Sequence, residues 1–264
     1  MVIGDKAREK ICVTDFVPYW ISIIEMQGTE KLYCGFKAHD AFINLLNERT
    51  KLSLDGRDTM PNAIFFNSYK LKKGSSIPDF LIAVENLVNG YMCKQKGFIS
   101  FMLLNNGDTW ADLGIFETME DAKNFENPTG TNEYAEKFYS FLNFSSCISR
   151  VMSVERDYQF STEVPQAVTF VSFKLRKGAS VPNFLLAKEK VGLVLSITHS
   201  GCITSKLLTN GNLWADLVFW KSMDDASNAA KNKDEAAGVF REYLSYIGQV
   251  PYHHHFSVMQ ITGR

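Results

Sequence analysis

The chain has 264 residues, 45% of them hydrophobic and 22% charged, with a formal net charge of −1. This is a soluble globular composition with room for two domains, and the near-neutral balance with dispersed Lys and Arg excludes the basic footprint of a nucleic-acid-binding protein. No apolar run approaches the roughly 18 residues a membrane span requires, and the charges in MVIGDKAREK stand where a signal peptide has its apolar stretch, so a cytoplasmic protein is expected.

Residues 1–62 read as a β-β-α extension, with strands at 19–26 and 31–36, a Gln-Gly-Thr-Glu turn between them and a helix at 38–49. That order matches the middle of the unit that follows, so the segment is either a degenerate half-repeat or an unrelated cap. KLSLDGRDTMPN (51–62) is polar, with Asp-Gly and Pro, and reads as the connection onward.

Residues 63–71 alternate and are rich in Ile, Phe and Tyr, which predicts a strand. Lys-Lys-Gly-Ser-Ser ends it. Pro78 suits a first helical turn, where its missing N–H costs nothing, and Asp79 complements the helix dipole. Phe80, Leu81, Val84, Leu87, Val88 and Tyr91 then have helical spacing, and Gly97 breaks the chain. Strands at 98–104 and 109–116 flank Asn-Asn-Gly-Asp, a hairpin signal. Thr118 and Asp121 resemble a capping box that opens a second helix, and a last strand falls at about 149–156.

The order β-α-β-β-α-β then repeats. Shifted by 104, AIFFNSYKLKKGSSIPDFLIAVE lies over AVTFVSFKLRKGASVPNFLLAKE, LLNNGDTWADLGIF over LLTNGNLWADLVFW, and TMEDAKN over SMDDASN. Of the 62 positions from 63 to 124, 27 are identical, against only 3 of the next 34, so the duplication is well kept in front and drifted behind. In the drifted part a shift of 102 brings Phe138, Phe141 and Leu142 onto Phe240, Tyr243 and Leu244, with the last strand of the second copy at 253–260. The expected domains are an extension at 1–62 and ferredoxin-like repeats at 63–160 and 161–264, an α+β architecture. Each unit leaves one apolar sheet face open, and two copies on one chain can cover each other as an intrachain pseudo-dimer; further homodimerisation is compatible with this.

The strand ending in K-L-[KR]-K-G, the hairpin into W-A-D-L and the [FW]-[EK]-[TS]-M-[ED]-D-A helix start resemble the dimeric α/β-barrel superfamily, and within it the antibiotic-biosynthesis-monooxygenase-like proteins. The resemblance covers about 63–262. It implies two ferredoxin-like units facing each other, with a ligand pocket by each sheet. The haem-degrading branch of that family uses an Asn, a Trp and a His. Asn67 fits the first place, but Phe125 or Ala229 stands where the Trp belongs, and no His occurs between 117 and 198 or between 221 and 252. Haem degradation is therefore not expected. The family's cofactor-free oxygenases act on polycyclic phenolic substrates in apolar pockets and have no fixed triad to look for.

Strand alternation sorts the residues that could carry chemistry. Ala111, Leu113 and Ile115 are uniformly apolar and are expected against the helices. That turns Trp110, Asp112, Gly114 and Phe116, and with them Trp214, Asp216, Val218 and Trp220, towards the barrel interior. Lys70 and Lys174 share a face with Ser68 and Ser172 whose direction the pattern leaves open. A buried carboxylate at Asp112 or Asp216 would have a raised pKa and could serve as a general base. The plainer reading is a structural Asp paired with Lys70 or Lys174, or set on a solvated edge. Trp110 and Trp214 divide in the same way between packing and ligand stacking. His199, His253, His254 and His255 have no counterparts in the first copy. His253 and His255 share a strand face and read as a metal pair, a proton-transfer or ligand contact, or an exposed stretch with no special role; no metal site is expected. The five cysteines, Cys12, Cys34, Cys93, Cys147 and Cys202, are odd in number, lack C-x-x-C, and read as reduced thiols. No Gly-rich phosphate loop, Gly-x-Ser-x-Gly or His-Glu-x-x-His occurs, and no cofactor is expected.

The functional expectation is a cofactor-free monooxygenase-like or isomerase-like enzyme acting on a small apolar or aromatic molecule. Asp216, His199 and His255 would be its catalytic groups, and Trp110, Asp112, Trp214, Trp220, Lys70 and Lys174 its ligand contacts. The alternative is a non-catalytic small-molecule-binding or scaffolding module whose barrel is filled by its own aromatic side chains.

Overall fold

A computed structural model describes residues 63–126, 132–229 and 237–263. The extension expected at 1–62 lies outside the described residues. The first half runs β1 (Ala63–Leu71), α1 (Ile77–Gly90), a 3-10 turn (Met92–Lys94), β2 (Phe98–Asn106), β3 (Thr109–Phe116), α2 (Met119–Glu126), α3 (Glu133–Tyr139) and β4 (Leu142–Gln159). The second half has the same order apart from the 3-10 turn: β5 (Ala167–Leu175), α4 (Val181–Thr198), β6 (Cys202–Asn210), β7 (Leu213–Trp220), α5 (Met223–Ala229), α6 (Ala237–Ser245) and β8 (Ile247–Gly263).

Local signals explain these bounds. Ser76 Oγ accepts from the Asp79 amide at the start of α1, with Pro in the first turn, and Ser180 does the same for Asn183 at α4. The Thr118 hydroxyl accepts from the Asp121 amide at 3.0 Å, and Ser222 from Asp225 at 3.1 Å, so both expected capping contacts form. Gly107 and Gly211 take φ +62° in the two hairpins.

The strands close into an eight-stranded antiparallel barrel in the order β1-β3-β2-β8-β5-β7-β6-β4. β4 and β8 run well beyond the expected 149–156 and 253–260. Each pairs along one half and then crosses to the other: β4 continues from β1 onto β6, and β8 from β5 onto β2. A single unit read alone gives no reason for strands this long. Their outer ends are paired only because the other half offers an edge, and the closed barrel leaves no edge unpaired.

The barrel interior is lined by buried apolar side chains. Phe66 and Phe170 stack at 3.9 Å between centroids, with Tyr252 and Phe256 edge-on to them. Burying one such ring contributes about 2–3 kcal/mol. The Tyr252 hydroxyl donates to Ser68 Oγ at 2.7 Å, which satisfies the phenol inside the apolar core.

This interior corrects the expected strand facing. Ala111, Leu113, Ala215, Leu217 and Phe219 fill the barrel, while Trp110, Phe116, Trp214, Val218 and Trp220 lie against the helices. The physical reason is that both faces are buried, so apolar character marks neither. The barrel interior, closed by strands all round, takes the uniformly apolar set. The helix layer can supply polar partners and so holds the two aspartates.

The drifted part is also corrected. Phe138 packs on Phe80 and Tyr69 as Tyr243 packs on Phe184 and Phe173, and the Phe141 carbonyl accepts from Lys72 as that of Tyr246 does from Arg176. Phe138 therefore corresponds to Tyr243 and Phe141 to Tyr246, a shift of 105 in place of 102. The shift returns to 104 on the last strands, where Val151 faces Phe65 as His255 faces Thr169.

Candidate functional site

The same carboxylate position has two different surroundings in the two halves. Asp112 lies mid-strand in β3 under the helices and is 3% exposed. Tyr69 on β1 donates its hydroxyl to Asp112 Oδ1 at 2.7 Å. Among the described residues no cation is paired with it. Burial pushes the carboxyl up to about 7, and the Tyr69 hydrogen bond pulls the other way. Burial, and then the Asp112 charge, raise the Tyr69 phenol well above its ordinary value, so Tyr69 stays a donor.

Beside Asp112 is a small cavity of about 20 Å³, roughly the room one water needs. Its walls are apolar, with Leu87 from α1, Phe101 from β2, Phe125 from α2 and Phe138 from α3. Asn67, directly across the β1–β3 ladder from Asp112, also lines it, and its Oδ1 is buried with no hydrogen-bond partner among the described residues. The site thus holds a neutral-range carboxyl with one oxygen tied to a phenol and a spare amide acceptor, in a lining otherwise made of apolar and aromatic side chains.

In the second half the cavity wall carries a cation. Lys188 on α4 stands where α1 has Val84, and its side chain is 1% exposed. Its ammonium meets Asp216 Oδ1 at 2.8 Å and Ser205 Oγ at 3.1 Å, Ser205 replacing Phe101. The rings of Tyr158 and Tyr243 lie 5.9 and 5.7 Å from the ammonium. Tyr243 on α6 donates to Asp216 Oδ2 at 2.8 Å. The phenol has changed element between the halves: Tyr69 with Phe138 in the first, Phe173 with Tyr243 in the second. Both Asp216 oxygens are therefore already hydrogen-bonded, one of them to a buried cation.

The other expected site residues separate as follows. His255 Nδ1 lies 2.7 Å from Thr169 Oγ1, which also accepts from Trp220 Nε1 at 2.9 Å. Thr169 Oγ1 thus joins the indole and the imidazole in one hydrogen-bonded chain. Burial, then His253 and His254, lower the His255 pKa. His199 caps α4, bonds Thr198 at 2.6 Å and faces Trp220 edge-on at 6.5 Å. The structure therefore links His199, Trp220, Thr169 and His255 in one row but gives Asp216 different partners. Lys70 pairs with exposed Asp108 at 2.7 Å and Lys174 is exposed, so neither is the partner of Asp112 or Asp216. Trp110 and Trp214 pack edge-on against Phe80 and Phe184. His253 and His255 do share a face, their rings 4.9 Å apart, and among the described residues no set of three His, Cys, Asp or Glu is grouped to hold a metal.

Tyr69, Lys188 and Tyr243 escaped the sequence reading. Two of them left a signal: Lys188 interrupts an apolar helix stripe at the position of Val84, and Tyr69 faces Phe173 across the alignment. Tyr243 could not be found, because the wrong shift paired it with Phe141.

No protein-family model and no curated protein matches the sequence. Solved structures do match in fold. The fold is that of the ferredoxin-like dimeric α/β barrels. A provisionally assigned monooxygenase from Fusobacterium nucleatum aligns with TM-score 0.54 at 15% identity over 77% of this chain and 95% of its own. An anthrone oxidase-like protein gives 0.55 at 12% identity over 78% and 94%, and a provisionally assigned monooxygenase from Lactobacillus acidophilus gives 0.54 at 11% over 77% and 96%. No described helix is long and apolar enough to cross a membrane.

Proposed function

We propose that the chain is a monooxygenase-like or isomerase-like enzyme that removes a proton from a small, mostly apolar molecule, with Asp112 as the general base. The observation that carries this reading is a buried carboxyl poised near 7 with no cation beside it among the described residues. A base works best when its pKa lies near the operating pH. Tyr69 occupies Oδ1, so Oδ2 takes the proton, and the Asn67 amide can orient a hydroxyl or carbonyl of the substrate. The carbanion or phenolate left behind is reprotonated elsewhere in an isomerisation, or reacts with dioxygen as the co-reactant of an oxygenation. The fold neighbours named as monooxygenases and as anthrone oxidase-like support the class by analogy. The two halves, at 63–160 and 161–264, are on this reading duplicates of one unit, of which the first keeps the working carboxyl.

The repeat-two assignment of Asp216, His199 and His255 is weaker, because Asp216 has both oxygens engaged. The small free volume beside Asp112 favours the competing reading, a binding or scaffolding module without turnover. Anthrone and simple phenols, incubated in D2O and followed by proton loss and by oxygen uptake, separate the two. Turnover that rises through about pH 7 and is lost in Asp112→Asn but kept in Asp216→Asn supports the base. Turnover equal in Asp112→Asn and the parent chain sinks it.

A further inference from the structure

Tyr91 stands between the Asp112 cavity and the surface. Its side chain lines the cavity beside Met92 and Phe125, and also lines an open groove of about 500 Å³ between the end of α1 and the start of α3. Three local features hold it there. First, α1 stops at Gly90 whereas α4 runs on to Thr198, and Tyr91 leaves helical backbone at φ −129° before the 3-10 turn. Second, Gly90 lets α3 approach closely, since a Cβ there would meet the Tyr134 ring at 2.7 Å. Third, Asn132 caps α3 by accepting from the Tyr134 and Ala135 amides through Oδ1, and its side chain shares the groove wall with Tyr91 and holds the phenol pKa down against the effect of burial. With Oδ1 so occupied, the Asn132 amide nitrogen is the group that can donate to the Tyr91 hydroxyl. The second half has none of this: Leu195 replaces Tyr91, Val194 replaces Gly90 and Ala229 replaces Phe125.

We propose that Tyr91, latched by Asn132, is the gate of the Asp112 cavity, and that the α1–α3 groove is the way in for a flat, neutral, mostly apolar molecule. The closed cavity holds about 20 Å³ and the groove about 500 Å³, and the Tyr91 ring is what they share. Swinging that ring off Asn132 joins them. Glu133 and Glu136 on the groove wall disfavour an anion, and the mostly apolar lining around Asp112 disfavours a charged group of either sign. The nature of the cargo rests on the proposed base at Asp112; the gate itself can be tested without any substrate.

Hydrogen peroxide is small enough to serve as the probe, and Met92, 1% exposed in the cavity wall, as the reporter. Met152, equally buried inside the barrel, is the control. Methionine sulfoxide at each is followed by peptide mass spectrometry. Tyr91→Phe keeps the ring but loses the latch, and Asn132→Ser keeps a helix cap but is too short to reach Tyr91. Both are expected to speed Met92 oxidation about fivefold, the population change that follows from losing one hydrogen bond. Tyr91→Leu, the second-half residue, should speed it further, with Met152 unchanged throughout. Met92 oxidised at the parent rate in Tyr91→Phe and Asn132→Ser overturns the gate, and so does an equal rise at Met92 and Met152, which is general loosening. Asp112→Asn should leave the Met92 rate alone, so loss of the base assignment would not be mistaken for loss of the gate.

Discussion

Replacing Asp112 by Asn tests the raised carboxyl directly through stability. The unfolded chain ionises an aspartate near 4, whereas the folded chain holds the Asp112 proton up to about 7. Between these values the folded state carries one proton more than the unfolded state, so stability falls as pH rises through the window and levels off above it. A shift of about three units at roughly 1.4 kcal/mol each amounts to about 4 kcal/mol of stability lost at alkaline pH. Asn has the same shape, can accept from Tyr69, and can donate to Asn67 Oδ1, but it has no proton to lose. Urea unfolding of both chains at pH 4.5 and pH 8 is the assay. The variant should be close to the parent at the lower pH and more stable by about 3 kcal/mol at the higher. Taking the difference between the chains cancels every other titrating group. A difference that does not change with pH would refute the reasoning, and a parent chain that gains on the variant at pH 8 would mean a cation stabilises the carboxylate after all.

Lys188→Met strips the buried cation from Asp216 and should cost about 3–5 kcal/mol, read by the same unfolding assay, while adding Asp216→Asn recovers most of it. Tyr69→Phe removes the bond that holds the Asp112 pKa down, so the midpoint of a pH–rate profile should move upward; Phe138→Tyr in that background, which copies the second half, should move it back. Val84→Lys with Phe101→Ser transplants the second-half wall and should abolish turnover while flattening the pH dependence of stability. Gly97 sits at φ +69°, where a Cβ would run into the Asp121 carboxylate, so Gly97→Ala should lower the thermal midpoint by an amount corresponding to about 1–3 kcal/mol.

The order of elements was legible because turn chemistry marks it twice. Ser76 and Pro78, Asn105 to Asp108, and Thr118 with Asp121 each punctuate the first half, and each has a partner 104 residues on. What was not legible has specific physical causes. Alternation in β3 separates two faces but cannot name them when a packed barrel lies on one side and a helix layer on the other. The length of β4 depends on pairing with β6, which no single unit contains. The equivalence of Phe138 with Tyr243 was hidden because three aromatic residues at 138, 139 and 141 match a similar run at several shifts, and only the packing on Phe80 and Phe184 decides among them. Asp112 was singled out as a carboxylate in an apolar run. Its difference from Asp216 depends on Val84 and Lys188, which lie 28 residues before each Asp in sequence, on another element.

That difference is the strongest argument for a working site in the first half. Both halves give the aspartate one phenol, yet they take it from different elements, Tyr69 from a strand and Tyr243 from a helix. A purely structural aspartate would need nothing more than such a donor, or could be replaced by a leucine. The second half goes further: Lys188 donates to Oδ1 while Tyr243 holds Oδ2, and Ser205 and the Tyr158 ring support the ammonium in turn. The first half withholds the cation at the same helix position, leaves Asn67 Oδ1 without a partner among the described residues, and keeps a space beside the carboxyl behind Tyr91. An unpaired buried carboxyl destabilises the fold at neutral pH, and the second half of the same chain carries the substitution that relieves it. On the proposed reading, the first half keeps the costly arrangement for the chemistry of Asp112, since functional sites are where chains tolerate local destabilisation.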